Sequence, residues 1–162
     1  DAATGEKLNA IPTESQITDS ISTAGNTLYA ANYANQVVAA EPDATEPTWI
    51  YQSDDFPFFT APAVDDQHVY IGCRDKALHA IKRIDGTGAW TFPTGGRIES
   101  SPIVFDDAVV FGSNDGRLYG LDPASGEELW RLDLGEKLTA APIFAGSHLI
   151  IAGGDGTLFV VR

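Results

Sequence analysis

Tryptophan recurs in this chain at a fixed interval, and so does proline. Trp49, Trp90 and Trp130 lie 41 and 40 positions apart, and Pro62, Pro102 and Pro142 lie 40 and 40 apart. A period of this size marks a repeat architecture, in which no unit can bury its apolar face without a neighbour. Aligned on the same phase, Asp1, Glu41, Lys82, Asp122 and Arg162 are equivalent. The chain therefore reads as one repeat domain over 1–162, with units at about 1–40, 41–81, 82–121 and 122–162.

The third unit shows what one period contains. Ala89–Phe92, Ser101–Phe105, Val109–Gly112 and Arg117–Leu121 are short runs of β-branched and aromatic residues. Gly, Asp, Asn or Pro bounds each run, which predicts four strands. Asp106-Asp107 reads as a tight turn. Asn114-Asp115-Gly116 and Gly154-Asp155-Gly156 supply the positive φ that short hairpin loops need. No window carries a helical period. The expected class is all-β, with four β-propeller blades of four antiparallel strands each. Unit 1 is degenerate, with Asn9 in the tryptophan slot and Ile21 in the proline slot. Unit 2 carries one extra residue between Trp49 and Pro62.

Charge narrows the partners. Acidic residues number 23 against 10 basic, a formal net of −13. Such a field repels nucleic acid and anionic membranes, since both are bound through Lys and Arg. No apolar run is long enough to cross a bilayer. Cys73 is the single cysteine, so neither an intrachain disulfide nor a thiolate cluster can form; it reads as a small buried residue. Asn114-Asp115-Gly116 lacks the alternating acids of a calcium loop, and unit 2 places Asp75-Lys76 in the same slot. His68 and His148 read as turn-edge histidines and His79 as a strand residue. No catalytic, metal-ligating or cofactor-binding set emerges.

The junction Gly120-Leu121-Asp122-Pro123-Ala124-Ser125-Gly126-Glu127-Glu128-Leu129-Trp130 carries a more specific signal. Ala80, Gly86 and Trp90 repeat it in the preceding unit, with Lys82 in place of Asp. Ala39 and Trp49 repeat it again, with Thr45 in place of Gly; Asp1, Thr4 and Gly5 open a fourth copy without its Trp. The phrase resembles the tryptophan-docking motif of pyrroloquinoline-quinone-type β-propellers. The resemblance implies that Trp49, Trp90 and Trp130 stack on glycines such as Gly86 and Gly126 and staple one blade to the next. It implies part of a seven- or eight-bladed ring, or a half-ring that dimerises. Enzymes of that group hold the quinone between a disulfide of adjacent cysteines and a Trp floor, with a Ca²⁺ bound by Glu, Asn and Asp; one cysteine cannot supply that disulfide.

The chain is therefore closer to the non-enzymatic branch, typified by the lipoprotein of the outer-membrane barrel assembly machine. That branch implies an extracytoplasmic scaffold for protein or peptide partners, with no cofactor. A fragment of a quinoprotein dehydrogenase and a small-ligand sensor are the alternatives. One segment stands out as a possible partner patch. Phe56, Phe58 and Phe59 lie beside Asp54-Asp55. Phe58 and Phe59 suit a core strand, whereas exposed Phe56 and Phe58 rimmed by acid would suit protein binding.

Overall fold

A computed structural model describes residues 1–17 and 19–162. Among the described residues, fifteen strands form four antiparallel sheets. The first holds β1 (Ser22–Ala24), β2 (Thr27–Ala31), β3 (Gln36–Ala40) and β4 (Trp49–Gln52). The second holds β5 (Ala63–Val64), β6 (His68–Gly72), β7 (Ala77–Lys82) and β8 (Gly88–Pro93). The third holds β9 (Ile103–Phe105), β10 (Ala108–Gly112), β11 (Arg117–Leu121) and β12 (Glu128–Asp133). The fourth has three strands, β13 (Ile143–Ala145), β14 (His148–Ala152) and β15 (Leu158–Val161). No helix occurs among the described residues. These are the blades of a β-propeller, stacked side by side.

Each sheet meanders outward through hairpins. Asp106, at φ 48°, makes the two-residue turn that joins Phe105 to Ala108. The proline strand is shorter than the sequence suggests: it begins at Ile103, because Pro102 has no N–H to give a ladder. The phase of the sheets also differs from that of the repeat. The Trp-bearing strand does not open the sheet of its own unit but closes the sheet before it. Trp49 pairs with Ala39, Trp90 with Ala80 and Trp130 with Gly120. A short turn makes consecutive strands natural neighbours, and the longer proline segment then crosses to the next sheet.

Three apolar clusters fill the three spaces between the sheets. Tyr29, Val37, Trp49, Val69 and Ile71 lie between sheets one and two. Tyr70, Leu78, Val109, Phe111 and Leu121 lie between two and three. Val110, Leu118, Leu138, Leu149 and Ile151 lie between three and four. The middle strand β6, with a sheet on either side, is buried along its whole length; β3 is buried as well, and on its outer side Val38 and Ala40 share a recess with Ile11 and Ile17. The outer face of sheet one and that of sheet four have no sheet against them. Leu8, Ile21, Ile143, Leu158 and Val160 are accordingly exposed.

Candidate functional site

Two tryptophans sit in glycine seats on the following blade. The Trp49 ring covers Gly86, where a Cβ would stand 2.7 Å from Cδ2, and the Trp90 ring covers Gly126, where it would stand 2.6 Å away. Both glycines have positive φ, 73° and 74°, so they give the turn its shape and leave room for the ring. The indole N–H of Trp49 donates to Arg83 O at 2.9 Å, and that of Trp90 to Pro123 O at 3.1 Å. Tyr29 and Tyr70 lie tilted against the two indoles at 5.9 and 5.7 Å.

The remaining copies of this contact are incomplete. Trp130 is 37% exposed and lies on its own cross-strand partner, Gly120. Gly5 keeps the same turn (φ 73°, N–H to Asp1 O at 2.8 Å), yet nothing lies within 4 Å of where its Cβ would be. Between these extremes, Asn9 donates from Nδ2 to Pro42 O at 2.7 Å. Pro42 is the repeat equivalent of Arg83 and Pro123, so the amide makes the bond that the indoles make elsewhere.

The aromatic segment divides. Phe56 is 42% exposed beside the exposed Asp54 and Asp55. Phe58 is fully buried, edge-on to His79 at 5.6 Å and bridged through its backbone to Cys73. Phe58 therefore does not belong to a surface patch; its ring closes the inter-blade core where the second sheet begins. Phe59 lies under the Arg74 guanidinium at 3.8 Å. His68 is not a solvated turn histidine either. It begins β6 and is buried, because β6 runs through the middle of its sheet. His148 is exposed.

Behind Phe56 lies a cluster that the sequence reading did not assemble. Cys73, Asp75 and His79 offer ligand atoms that all lie within 4.8 Å of one another. The four-residue hairpin Cys73–Lys76 brings them together: Cys73 opens the turn, Asp75 sits in it, and His79 returns on β7 opposite Ile71. Cys73 and His79 are buried, while Asp75 keeps its side chain 28% exposed. His79 Nε2 meets Asp75 Oδ2 at 2.8 Å, and His79 Nδ1 meets the Tyr51 hydroxyl at 2.9 Å. Burial pushes the Cys73 thiol up to about 11. Burial would also raise Asp75, but the His79 hydrogen bond and charge hold it below the usual carboxylate range. Tyr51, Ser53, Asp54, Asp55 and Phe56 wall the recess above. The signal that could have found this cluster is vertical: the same columns hold Ser113, Asp115 and Tyr119 in the next blade and Gly153, Asp155 and Phe159 in the last.

The tryptophan seats, repeated at one period, are the feature by which relatives can be recognised. A family model described as outer membrane protein assembly factor BamB matches residues 1–162. The chain belongs to the BamB family. Among solved structures it is similar to BamB from Moraxella catarrhalis, at 18% identity and TM-score 0.81, over 91% of this chain and 47% of that one. It thus spans about half the length of that relative. It is also similar to the computationally designed protein Ika4, at 18% identity and TM-score 0.85, over 98% of this chain and 99% of the designed one. At these identities the likeness establishes the propeller fold. No curated protein matches the chain in sequence.

Proposed function

We propose that this chain is a non-catalytic propeller scaffold that holds protein or peptide partners outside the cytoplasm, and that its first partner is a second copy of itself. The description of its family as an assembly factor supports the general role. The observation that carries the specific reading is the complementarity of the two ends. One end offers Trp130 without a glycine seat and a three-stranded sheet whose outer strand β15 is open. The other offers the Gly5 seat without a ring, followed by residues 8–12, in register with the Trp-bearing strands.

Placed head to tail, residues 8–12 of one copy become the fourth strand beside β15 of the other. Trp130 then stacks on Gly5 of the other copy, and its indole N–H reaches the carbonyl of Ala2, the repeat equivalent of Pro42, Arg83 and Pro123. Two such junctions close a ring of eight blades and cover Leu8, Ile143, Leu158 and Val160. Exposed Phe56, with Asp54 and Asp55, gives a further protein contact on the loop face.

Light scattering over a concentration series is expected to give twice the monomer mass of 17.2 kDa. Trp130→Ala should weaken the association roughly a hundredfold, from the lost burial of a large ring. A monomer at every concentration overturns the ring. Titration with the quinone and with Ca²⁺, followed by tryptophan fluorescence, is expected to give no saturable change; a saturable one overturns the non-catalytic reading.

A further inference from the structure

Two departures from the repeat coincide in blade two. The loop between β4 and β5 carries the extra residue that the equivalent loops lack, and it brings Ser53, Asp54, Asp55 and Phe56 over the β6–β7 hairpin. In that hairpin alone, the three columns occupied by Ser113, Asp115 and Tyr119 in blade three become Cys73, Asp75 and His79. Blade three shows what the scaffold needs there: Tyr119 donates its hydroxyl to Asp115 Oδ2 at 2.7 Å, which ties the strand to its turn. Blade two keeps the acid, but replaces the phenol with an imidazole and the hydroxyl with a thiol. A structural tie requires neither change.

We propose that Cys73, Asp75 and His79 form a binding site for one divalent transition-metal ion of the zinc class. The donor set decides the class. A thiolate and an imidazole with one carboxylate suit a borderline ion such as Zn²⁺, whereas Ca²⁺ and Mg²⁺ call for oxygen ligands throughout. The separations fit: ligand atoms 4.8 Å apart or less need only tighten slightly to surround an ion at ~2.0–2.3 Å. The imidazole is already oriented, because the Tyr51 hydroxyl engages Nδ1 and leaves Nε2 on the side of Asp75. The local field favours a cation. Asp54, Asp55 and Asp75 face the recess, while the nearby Arg74 turns away into an ion pair with Glu99 at 2.6 Å. Three protein ligands leave a fourth position toward the recess, where water completes a tetrahedron.

The test uses the full chain and two variants drawn from its own next blade. Zn²⁺ titrated calorimetrically into the wild type is expected to bind one ion per chain. Co²⁺ in its place should produce a thiolate charge-transfer band and the visible spectrum of a four-coordinate ion. Cys73→Ser should abolish the charge-transfer band, and His79→Tyr should weaken Zn²⁺ binding by roughly a hundredfold or more. Both substitutions place a residue that blade three carries in the same column, and denaturant unfolding checks that each variant folds. If Cys73→Ser fails to fold, the wild-type Co²⁺ spectrum and the His79→Tyr titration decide between them. A wild type that takes up no ion, a Co²⁺ spectrum without the thiolate band, or variants that bind as tightly as the wild type overturns the site.

Discussion

A methyl group at position 126 has no room, since it would press into the Trp90 ring at 2.6 Å from a backbone already at φ 74°. Gly5 has the same backbone, φ 73°, with open space around it. The pair separates two costs. In the monomer, below the association range, Gly5→Ala should lose only the conformational term, ~1 kcal/mol. Gly126→Ala should lose that plus ~1–3 kcal/mol for overpacking, read as a larger drop in the urea midpoint. Equal losses in the two variants would show that the ring yields freely. Cys73 makes a different prediction. Burial favours the neutral thiol in the folded state. The stability it contributes is therefore fully present below the ordinary thiol pKa and is lost as pH rises through about 11. In the metal-free chain, unfolding midpoints should fall more steeply up to about pH 11 in the wild type than in Cys73→Ser, which keeps the further alkaline fall due to the raised Tyr51, Tyr70 and Tyr119 hydroxyls. Residues at this scale were unequally legible. Gly86 and Gly126 announce themselves through a motif along the chain. The convergence of Cys73, Asp75 and His79 does not, because it depends on how a hairpin curls back and on what the neighbouring blades hold at equivalent places.

Among the elements, the outer strands β4, β8 and β12 carry the coupling between sheets. Their tryptophans differ in what meets them: Trp49 is 9% exposed, Trp90 half-buried and Trp130 37% exposed. Trp49→Ala and Trp90→Ala should each cost ~3–5 kcal/mol, as large core truncations do. Trp130→Ala in the monomer should cost ~1 kcal/mol, since its ring is not sealed by a following blade. Denaturant curves at concentrations below the association range measure all three; a Trp130 loss as large as the Trp90 loss would contradict the unfilled seat. Strand positions were mostly readable because alternating β-branched and aromatic residues end at Gly, Asp and Pro. The phase of the sheets was not. A period of 40 residues is the same wherever counting begins, and only the pairing of Trp49 with Ala39 places the tryptophan strand at the end of one sheet and not the start of the next. Phe58 was ambiguous for a related reason: its run is as apolar as a core strand and as aromatic as a binding patch, and the fold buries it against His79.

For the whole molecule, the net charge of −13 opposes any contact between copies. The proposed ring should therefore tighten as salt screens that repulsion, while the apolar contacts that drive it change little. Light scattering at low and at near-molar ionic strength should show a lower dissociation constant in the second; weakening with salt would point to an ion-paired interface instead. The offset between repeat and sheet has an evolutionary corollary. Because each period ends inside a sheet and not between sheets, adding or deleting one period by gene duplication never leaves a loose module. Every junction so created inherits a hairpin that spans two blades, so a propeller of this type can lengthen or shorten by whole periods without having to invent a new join.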